Sequence, residues 1–585
     1  MNTFKKIGLI ALILANSVSG MSIVEAKDEK VLTSKYPAQV QHEGQAIKGG
    51  TLKIAFVGEA FSGVLNRLYA DNLGDQTIIE YFNPGLFGYN EAFTIDDSGF
   101  GRLKLDQEAK TATITIPQGH KWDDGQAMTI DDVIYPYYVI GHPDYTGIHY
   151  SESYRNIKGM EDYHQGKTKQ IKGIEKVDDY TVVIHYQKMD ASMLQVDGGV
   201  SNLIEPKHIL EKIAIKDLEG SQAVRTQPVG FGPFKVESIS AGEAVNFKAN
   251  PYYYRGKPKL DGVLLEVVNE DTVIEEMKHG NYDLASLPYS QFDQFKDAKN
   301  FSIAGRINNT YTYLGFKLGK WDKAKGQVIP DPKKVQVNKA LRQAMAYAIQ
   351  TDKIAETFYG GLRTPANTVI SPNFKGYYQA DLPGYQYNPQ KAKEILAKAG
   401  FKDRDGDGFV EDPNGKAFKL NFASSAGGDT AEPVAMYYLQ AWKEIGVNVA
   451  LTDGRLIDGK NYYQRIEADD PKIDIFMGGW SLGGNPNPQA YYGSKEAFNY
   501  IRWSDKENDR LLAQINSPAT FDQAARTKAY ADWQSYVMDQ VPLIPQMYSN
   551  GLMAVNKRVS HFDYSLGAEM EWEKVTLLAD QPQAE

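Results

Sequence analysis

The sequence predicts an α/β protein divided into more than one domain. Short runs with strand character, such as Thr51 to Phe56 and Thr111 to Ile116, are interleaved with segments of helical period, such as Ala392, Ile395, Leu396 and Ala399. The 585 residues exceed what one hydrophobic core normally holds, so two or three domains are expected. There is no cysteine, which removes disulfides, thiolate metal sites and a cysteine nucleophile and leaves burial to hold the chain together.

At the start, Lys5 and Lys6 precede a nine-residue apolar run, Ile7 to Ala15, which reads as the core of a signal peptide and is too short to span a bilayer. Val18-Ser19-Gly20 is the kind of text that precedes a lipidated cysteine, but the next residue is Met21, so lipid cannot be attached there. Val24-Glu25-Ala26 places small residues correctly for cleavage after Ala26, giving a leader of residues 1–26. The net charge is −10, and losing Lys5, Lys6 and Glu25 makes it one unit more acidic, which argues against nucleic acid or an anionic membrane surface as partner.

Thr51 to Phe56 then reads as a strand. From Glu91 to Gln227, turn residues alternate with strands such as Thr181 to Ile184. In Pro228 to Asp261, Phe234 and Val236 begin a strand that Ala241-Gly242 turns back into Val245-Asn246-Phe247. A short helix is expected over Val273 to Gly280. Val337, Leu341, Ala344 and Ala348 share one helix face, with Arg342 on the complementary face. Asn388 caps the next helix, Pro389 takes its first turn and Gly400 ends it. A late helix runs from about Phe521 to Asp539 and stops at Val541-Pro542.

Four blocks resemble the oligopeptide- and dipeptide-binding family of extracytoplasmic solute-binding proteins that serve peptide ABC importers. They are Pro228 to Asp261; Trp122-Asp123-Asp124-Gly125 with Thr129, Asp131-Asp132-Val133 and Tyr135; Val337 to Ile354; and Tyr387-Asn388-Pro389 to Phe401. The resemblance covers Gly49 to about Val555 and is strongest to Gram-positive oligopeptide-binding members. It implies a two-lobed periplasmic-binding-protein-like α/β fold, type II, with an extra inserted β-rich domain and a two-strand hinge. On that pattern residues 27–90 and 228–318 form the first lobe, 91–227 the insertion, 319–540 the second lobe, and 541–585 the return. Tyr311 to Phe316 and Leu543 to Tyr548 are the expected crossings.

Ile473 to Gly493 carries the most chemistry. A strand runs outward to Gly478-Gly479-Trp480, and the residues after it are rich in Gly, Asn and Pro. Such an end exposes main-chain groups without side-chain obstruction, as binding an extended peptide by strand addition requires. Within the family this segment lines the ligand cleft. The resemblance therefore assigns ligand contact to Gly479, Trp480, Ser481, Leu482, Gly483 and Asn485, with Asn83, Pro84, Tyr313 and Tyr548 nearby. Several members carry an aspartate three residues after the tryptophan that pairs with the ligand's α-ammonium; here that position is Gly483.

Two motifs compete with this reading. Gly479-Trp480-Ser481-Leu482-Gly483 matches G-x-S-x-G, and Asp505 or Asp509 and then His561 follow in order, which would suit a secreted serine hydrolase. Gly484, Pro486 and Pro488, however, forbid the helix that must follow such a nucleophile. Asp403, Asp405 and Asp407 begin an EF-hand-like loop with Glu411 at its ninth position, but the twelfth is Asn414 and lacks the bidentate carboxylate. Asx-turns give the same text without metal. The nine histidines show no H-x-x-H spacing, and no phosphate-binding loop occurs. The expectation is a monomeric, exported oligopeptide receptor without cofactor that hands its ligand to separate permease and ATPase subunits. Other readings are a receptor for a non-peptide solute or a signalling peptide.

Overall fold

The computed structural model describes residues 35–58, 61–566 and 570–585. The leader read in residues 1–26 lies outside them. Among the described residues no helix is long and apolar enough to cross a membrane.

One mixed sheet of 11 strands runs through both lobes. Its main path is Val449–Leu451, Leu420–Ala423, Ile475–Ser481, Phe301–Phe316, Leu543–Asn556, Leu284–Ser286, Thr51–Val57, Gly262–Val268, Ala244–Ala249 and Phe234–Ser240, and Thr364–Pro365 pairs beside it. Both central strands are long. They pair antiparallel from Phe301↔Asn556 to Gly315↔Leu543, so the crossings are one two-stranded ribbon. Its register slips between Ile307 and Tyr311 and again between Tyr311 and Tyr313, which interrupts the ladder midway and increases local twist. The outgoing strand starts well before the expected Tyr311.

In the first lobe, Leu52, Ile54, Ile78, Phe82, Val245, Phe247 and Leu265 are packed together under the sheet. The diagnostic hairpin is present as Phe234–Ser240 against Ala244–Ala249. Gly230 precedes it because a Cβ there would lie 1.9 Å from the Phe82 carbonyl oxygen, so only glycine lets the two backbones meet. A second core centres on Ile114, Trp122, Val133, Tyr137, Val182 and Ile184 and extends to Leu68, Leu86, Phe87 and Phe231 outside residues 91–227. That core lies between the helix Ile130–Ile140 and the four-stranded sheet Arg102–Asp106, Thr111–Thr115, Thr181–His185 and Ile174–Asp178.

Two of the sequence blocks meet here. Asp123 N–H donates to the Gly230 carbonyl at 2.9 Å, and Gly230 N–H donates to the Asp123 carboxylate at 3.1 Å. Trp122, fully buried, donates its indole N–H to Asp132 at 3.3 Å. Asp132 also closes a capping box with Thr129 at the start of Ile130–Ile140. Burial pushes the Asp123 carboxyl up to about 7, although the Gly230 N–H opposes the shift.

The second lobe packs its helices against its sheet around Leu341, Phe422, Trp442, Ile475, Leu512 and Trp533. The helix Pro389–Lys398 starts as expected, with the Asn388 side chain accepting from Lys391 N–H at 2.8 Å. The preceding helix corrects the sequence reading. It starts at Lys339 with Asn338 as N-cap, so Val337 falls in a 3₁₀ turn outside it and is 37% exposed. Arg342 is not on a solvent face. It is buried and donates to the carbonyls of Gln336, Val337, Gln540 and Val541 at 2.7–2.8 Å. It thereby closes the C-terminal end of Gln523–Gln540, where backbone carbonyls lack helical partners.

Candidate functional site

The strand Ile475–Ser481 lies antiparallel to the outgoing crossing, with Trp480 opposite Tyr311 and Gly478 opposite Tyr313. Its other edge is paired only at its base, Ile475 to Phe422 and Phe476 to Ala423. From Met477 to Ser481 that edge has no strand partner among the described residues. The Tyr462 hydroxyl donates to the Met477 carbonyl at 2.5 Å. Tyr463 also bonds the Gly479 backbone, so the glycine-rich edge where the lobes meet carries two tyrosine hydroxyls but no neighbouring strand.

Beyond it, the loop from Leu482 is tied to the ribbon. Leu482 N–H donates to the Asn309 carbonyl at 2.9 Å, and the Asn309 amide donates to the Gly483 carbonyl at 2.7 Å. Asn309 sits within the first register slip. Trp480, half-buried, stands among Tyr491, Tyr500 and Phe498 at centroid distances of 4.4, 5.3 and 5.9 Å. Such a platform offers flat apolar faces with polar edges to a guest.

The lobes are closed on one another beside this strand end. Phe93 packs its ring 5.1 Å from Phe374, the Tyr377 hydroxyl donates to the Gln195 side-chain oxygen, and Lys375 pairs with Glu91 at the exposed rim. Gly484 faces Val196 so tightly that a Cβ on it would come within 2.2 Å of Val196 Cγ1. Sequence reasoning missed all of these residues. Their partners lie more than a hundred positions away, and no local pattern marks them.

The predicted site residues divide into two groups. Gly479, Trp480, Ser481, Gly483 and Asn485 are exposed or half-exposed along the strand end and its loop, and Pro84 is half-buried. Leu482 is buried and anchors the loop. Tyr313 and Tyr548 are also buried, at 2% and 1% exposure. Tyr313 packs its ring against Phe476, and Tyr548 directs its hydroxyl to the carbonyls of Thr368 and Ile370 at 3.0 and 2.9 Å. Asn83, 1% exposed, accepts from the Arg67 guanidinium at 2.8 Å through its carbonyl. In the closed form these three have almost no exposed surface.

The hydrolase geometry is not assembled. Ser481 runs into an irregular loop, and the next helix starts only at Gln489. Asp505 accepts from Glu507 N–H, Asn508 N–H and the Tyr536 hydroxyl, and Asp509 accepts from Ser494. Both carboxylates are committed away from Ser481. In the acidic loop, Asp403, Asp405 and Glu411 bring oxygens within 4.8 Å of one another. Asp403 accepts from Gly406 and Gly408, Glu411 from Arg404, and Asp407 turns to Phe409 N–H. The bond from Phe409 to Asp407, like that from Asp407 N–H to Asp405, is that of an Asx-turn.

The family model for bacterial extracellular solute-binding proteins, family 5, matches residues 101–499. The chain belongs to that family. This family-5 protein is 31% identical over 501 residues to the oligopeptide-binding protein OppA of Lactococcus lactis subsp. cremoris, covering 84% of this chain and 83% of OppA. It is 26% identical over 527 residues to the oligopeptide-binding protein AppA of Bacillus subtilis, covering 89% of this chain and 90% of AppA. Among solved structures, lactococcal OppA complexed with an endogenous peptide in the closed conformation superposes with a TM-score of 0.75 at 30% identity, covering 90% of this chain and all of that one. As a family-5 solute-binding protein the chain works outside the cytoplasm, and its two-lobed α/β fold is that of its relatives.

Proposed function

We propose that this protein captures oligopeptides between its lobes, outside the cytoplasmic membrane, and delivers them to the permease of an ABC importer. The observation that carries this reading is the glycine-rich edge from Met477 to Ser481 at the junction of the lobes, which no described strand covers and which only the Tyr462 and Tyr463 hydroxyls touch. An extended guest adds to it through main-chain hydrogen bonds, largely regardless of sequence, and its side chains meet the Trp480 platform. The names of the relatives, both oligopeptide-binding proteins, favour the same class of ligand.

In this reading Gly479, Trp480, Ser481, Gly483, Asn485 and Pro84 contact ligand, while Leu482, Asn83, Tyr313 and Tyr548 hold the walls. A peptide touching both lobes binds the closed form more tightly than the open one and so draws the ribbon shut. The chain makes and breaks no bond; separate ATP-hydrolysing subunits power transport. Cleavage follows Ala26, and Met21 leaves the receptor without a lipid anchor at that site. Native mass spectrometry of the purified protein tests the assignment: co-purified peptides of mixed length are expected, and a single small sugar or metal complex overturns it.

A further inference from the structure

The ammonium-pairing position implied by the resemblance is Gly483 here, so a charge for the end of the guest is either absent or supplied from elsewhere. Across the closed interface lies a cavity of about 400 Å³ walled by the first lobe and the insertion, with Arg67, His149, Ser151, Asp197, Ser201 and Asn202 among its lining. One of its lining residues, Asp197, directly follows Val196, the residue that meets Gly484 across the closed interface.

The local geometry sets Asp197 apart. Its backbone is left-handed, with φ +62°, a conformation that Asp tolerates better than most residues. The turn separates two roles: Val196 packs into the second-lobe core, and Asp197 lines the cavity with an exposed side chain. Among the described residues its carboxylate accepts no hydrogen bond and forms no ion pair. Arg67 and His149 act on it only at a distance. Arg67 is already engaged, through Nε to the Asn83 carbonyl at 2.8 Å and through a terminal nitrogen to Glu80 at 2.5 Å.

The charges around the cavity therefore do not cancel. Arg67 and Glu80 neutralise each other. His149 is held toward its neutral form by burial, and its Nε2 has no partner. Behind the lining, burial pushes the Glu205 carboxyl up to about 8, which keeps it neutral too. Asp197 is the one acid among the described lining residues, and it has no bonded partner; desolvation holds its carboxyl above the ordinary range, the more distant Arg67 opposes that shift, and a cation arriving beside it would favour the charged form.

We propose that Asp197, supplied by the insertion across the cleft, is the anchor for an ammonium group of the guest peptide. This rests on the peptide-binding reading and adds to it the recognition of a positive end or side chain. The residue is the counterpart, on the opposite lobe, of the carboxylate missing at Gly483. Because its loop abuts Gly484 in the closed form, a bond from Asp197 to a guest already held on the Met477–Ser481 edge favours closure.

The test compares wild type, Asp197→Asn and Asp197→Glu by calorimetric titration with three synthetic peptides. One has a free amino terminus and no lysine or arginine, the second is its N-acetylated form, and the third is the acetylated form with one internal lysine. A charge-assisted hydrogen bond predicts that Asp197→Asn weakens binding of at least one ammonium-bearing peptide by about 10-fold to 100-fold. The acetylated, lysine-free peptide should bind both proteins alike, and Asp197→Glu should restore part of the loss. Loss confined to the free terminus identifies the α-ammonium, and loss with the internal lysine identifies a side chain; either supports the proposal. Equal affinities for all three peptides in wild type and Asp197→Asn, or equal losses for all three, overturn the anchor while leaving peptide capture intact. Failure of wild type to bind any of the peptides overturns both.

Discussion

Substituting Gly484 by alanine adds one methyl group, and the geometry places its whole cost on one state of the protein. The new Cβ would lie 2.2 Å from Val196 Cγ1, 3.3 Å from the Val196 carbonyl and 3.6 Å from Phe93 Cδ1. All three atoms belong to the opposing body, so the overlap exists only when the lobes are closed. The backbone at Gly484 is not among the positive-φ glycines, so alanine adopts it without strain in the open form. Overpacking of a well-fitted contact costs about 1–3 kcal/mol. Charged to the closed state alone, that weakens the apparent affinity for a lobe-bridging peptide by about 5-fold to 150-fold. Calorimetric titration measures the affinity, and small-angle scattering with saturating peptide measures compaction. Thermal melting of the free protein should change little. An unchanged affinity with full compaction would refute the argument that this contact gates closure.

A second prediction concerns pH. Glu205 and Asp123 have folded pKa values raised to about 8 and about 7, above those of an unfolded chain, so they favour the folded state most at low pH. That contribution is lost as pH rises from about 4.5 to 8, and Glu205→Gln should therefore flatten the melting temperature across pH 5 to 8 relative to wild type; a parallel profile would count against it. A third concerns the base of the outgoing crossing. Lys317, buried and lowered to about 8 by desolvation, shares Asp469 with Arg502, whose Nε reaches it at 2.7 Å. Asp469→Asn leaves two buried cations without their counter-charge and should cost about 3–5 kcal/mol in denaturant unfolding; a loss under about 1 kcal/mol would mean that solvent already reaches the pair.

Local chemistry made part of this molecule legible in advance. The Phe234 to Ala249 hairpin, the Asn388 cap and the strand leading to Trp480 are each specified by neighbouring residues, through turn chemistry, capping and alternation. Arg342 shows where that logic stops. An arginine opposite an apolar helix stripe reads as solvated, but here the C-terminal end of a helix nearly two hundred residues later supplies carbonyls that pay for its burial. The site follows the same division. The glycine-rich strand end was visible in the text, whereas its open edge depends on how far Leu420–Ala423 extends alongside it. Tyr313, Tyr548 and Asn83 were drawn to the cleft by the family resemblance, and only the structure shows that all three are buried, with the Tyr548 hydroxyl satisfied and the Asn83 side-chain oxygen without a partner among the described residues.

The paired crossing has a consequence for how a guest is admitted. Two hydrogen-bonded strands are stiff against sideways slip and compliant to bending and twisting, and here compliance is concentrated at the register slips around Asn309. Because Asn309 also grips Leu482 and Gly483, flexing the ribbon carries the rim of the ligand bed with it. A hinge built this way would couple any approach of the two halves to the placement of the loop that ends the ligand strand.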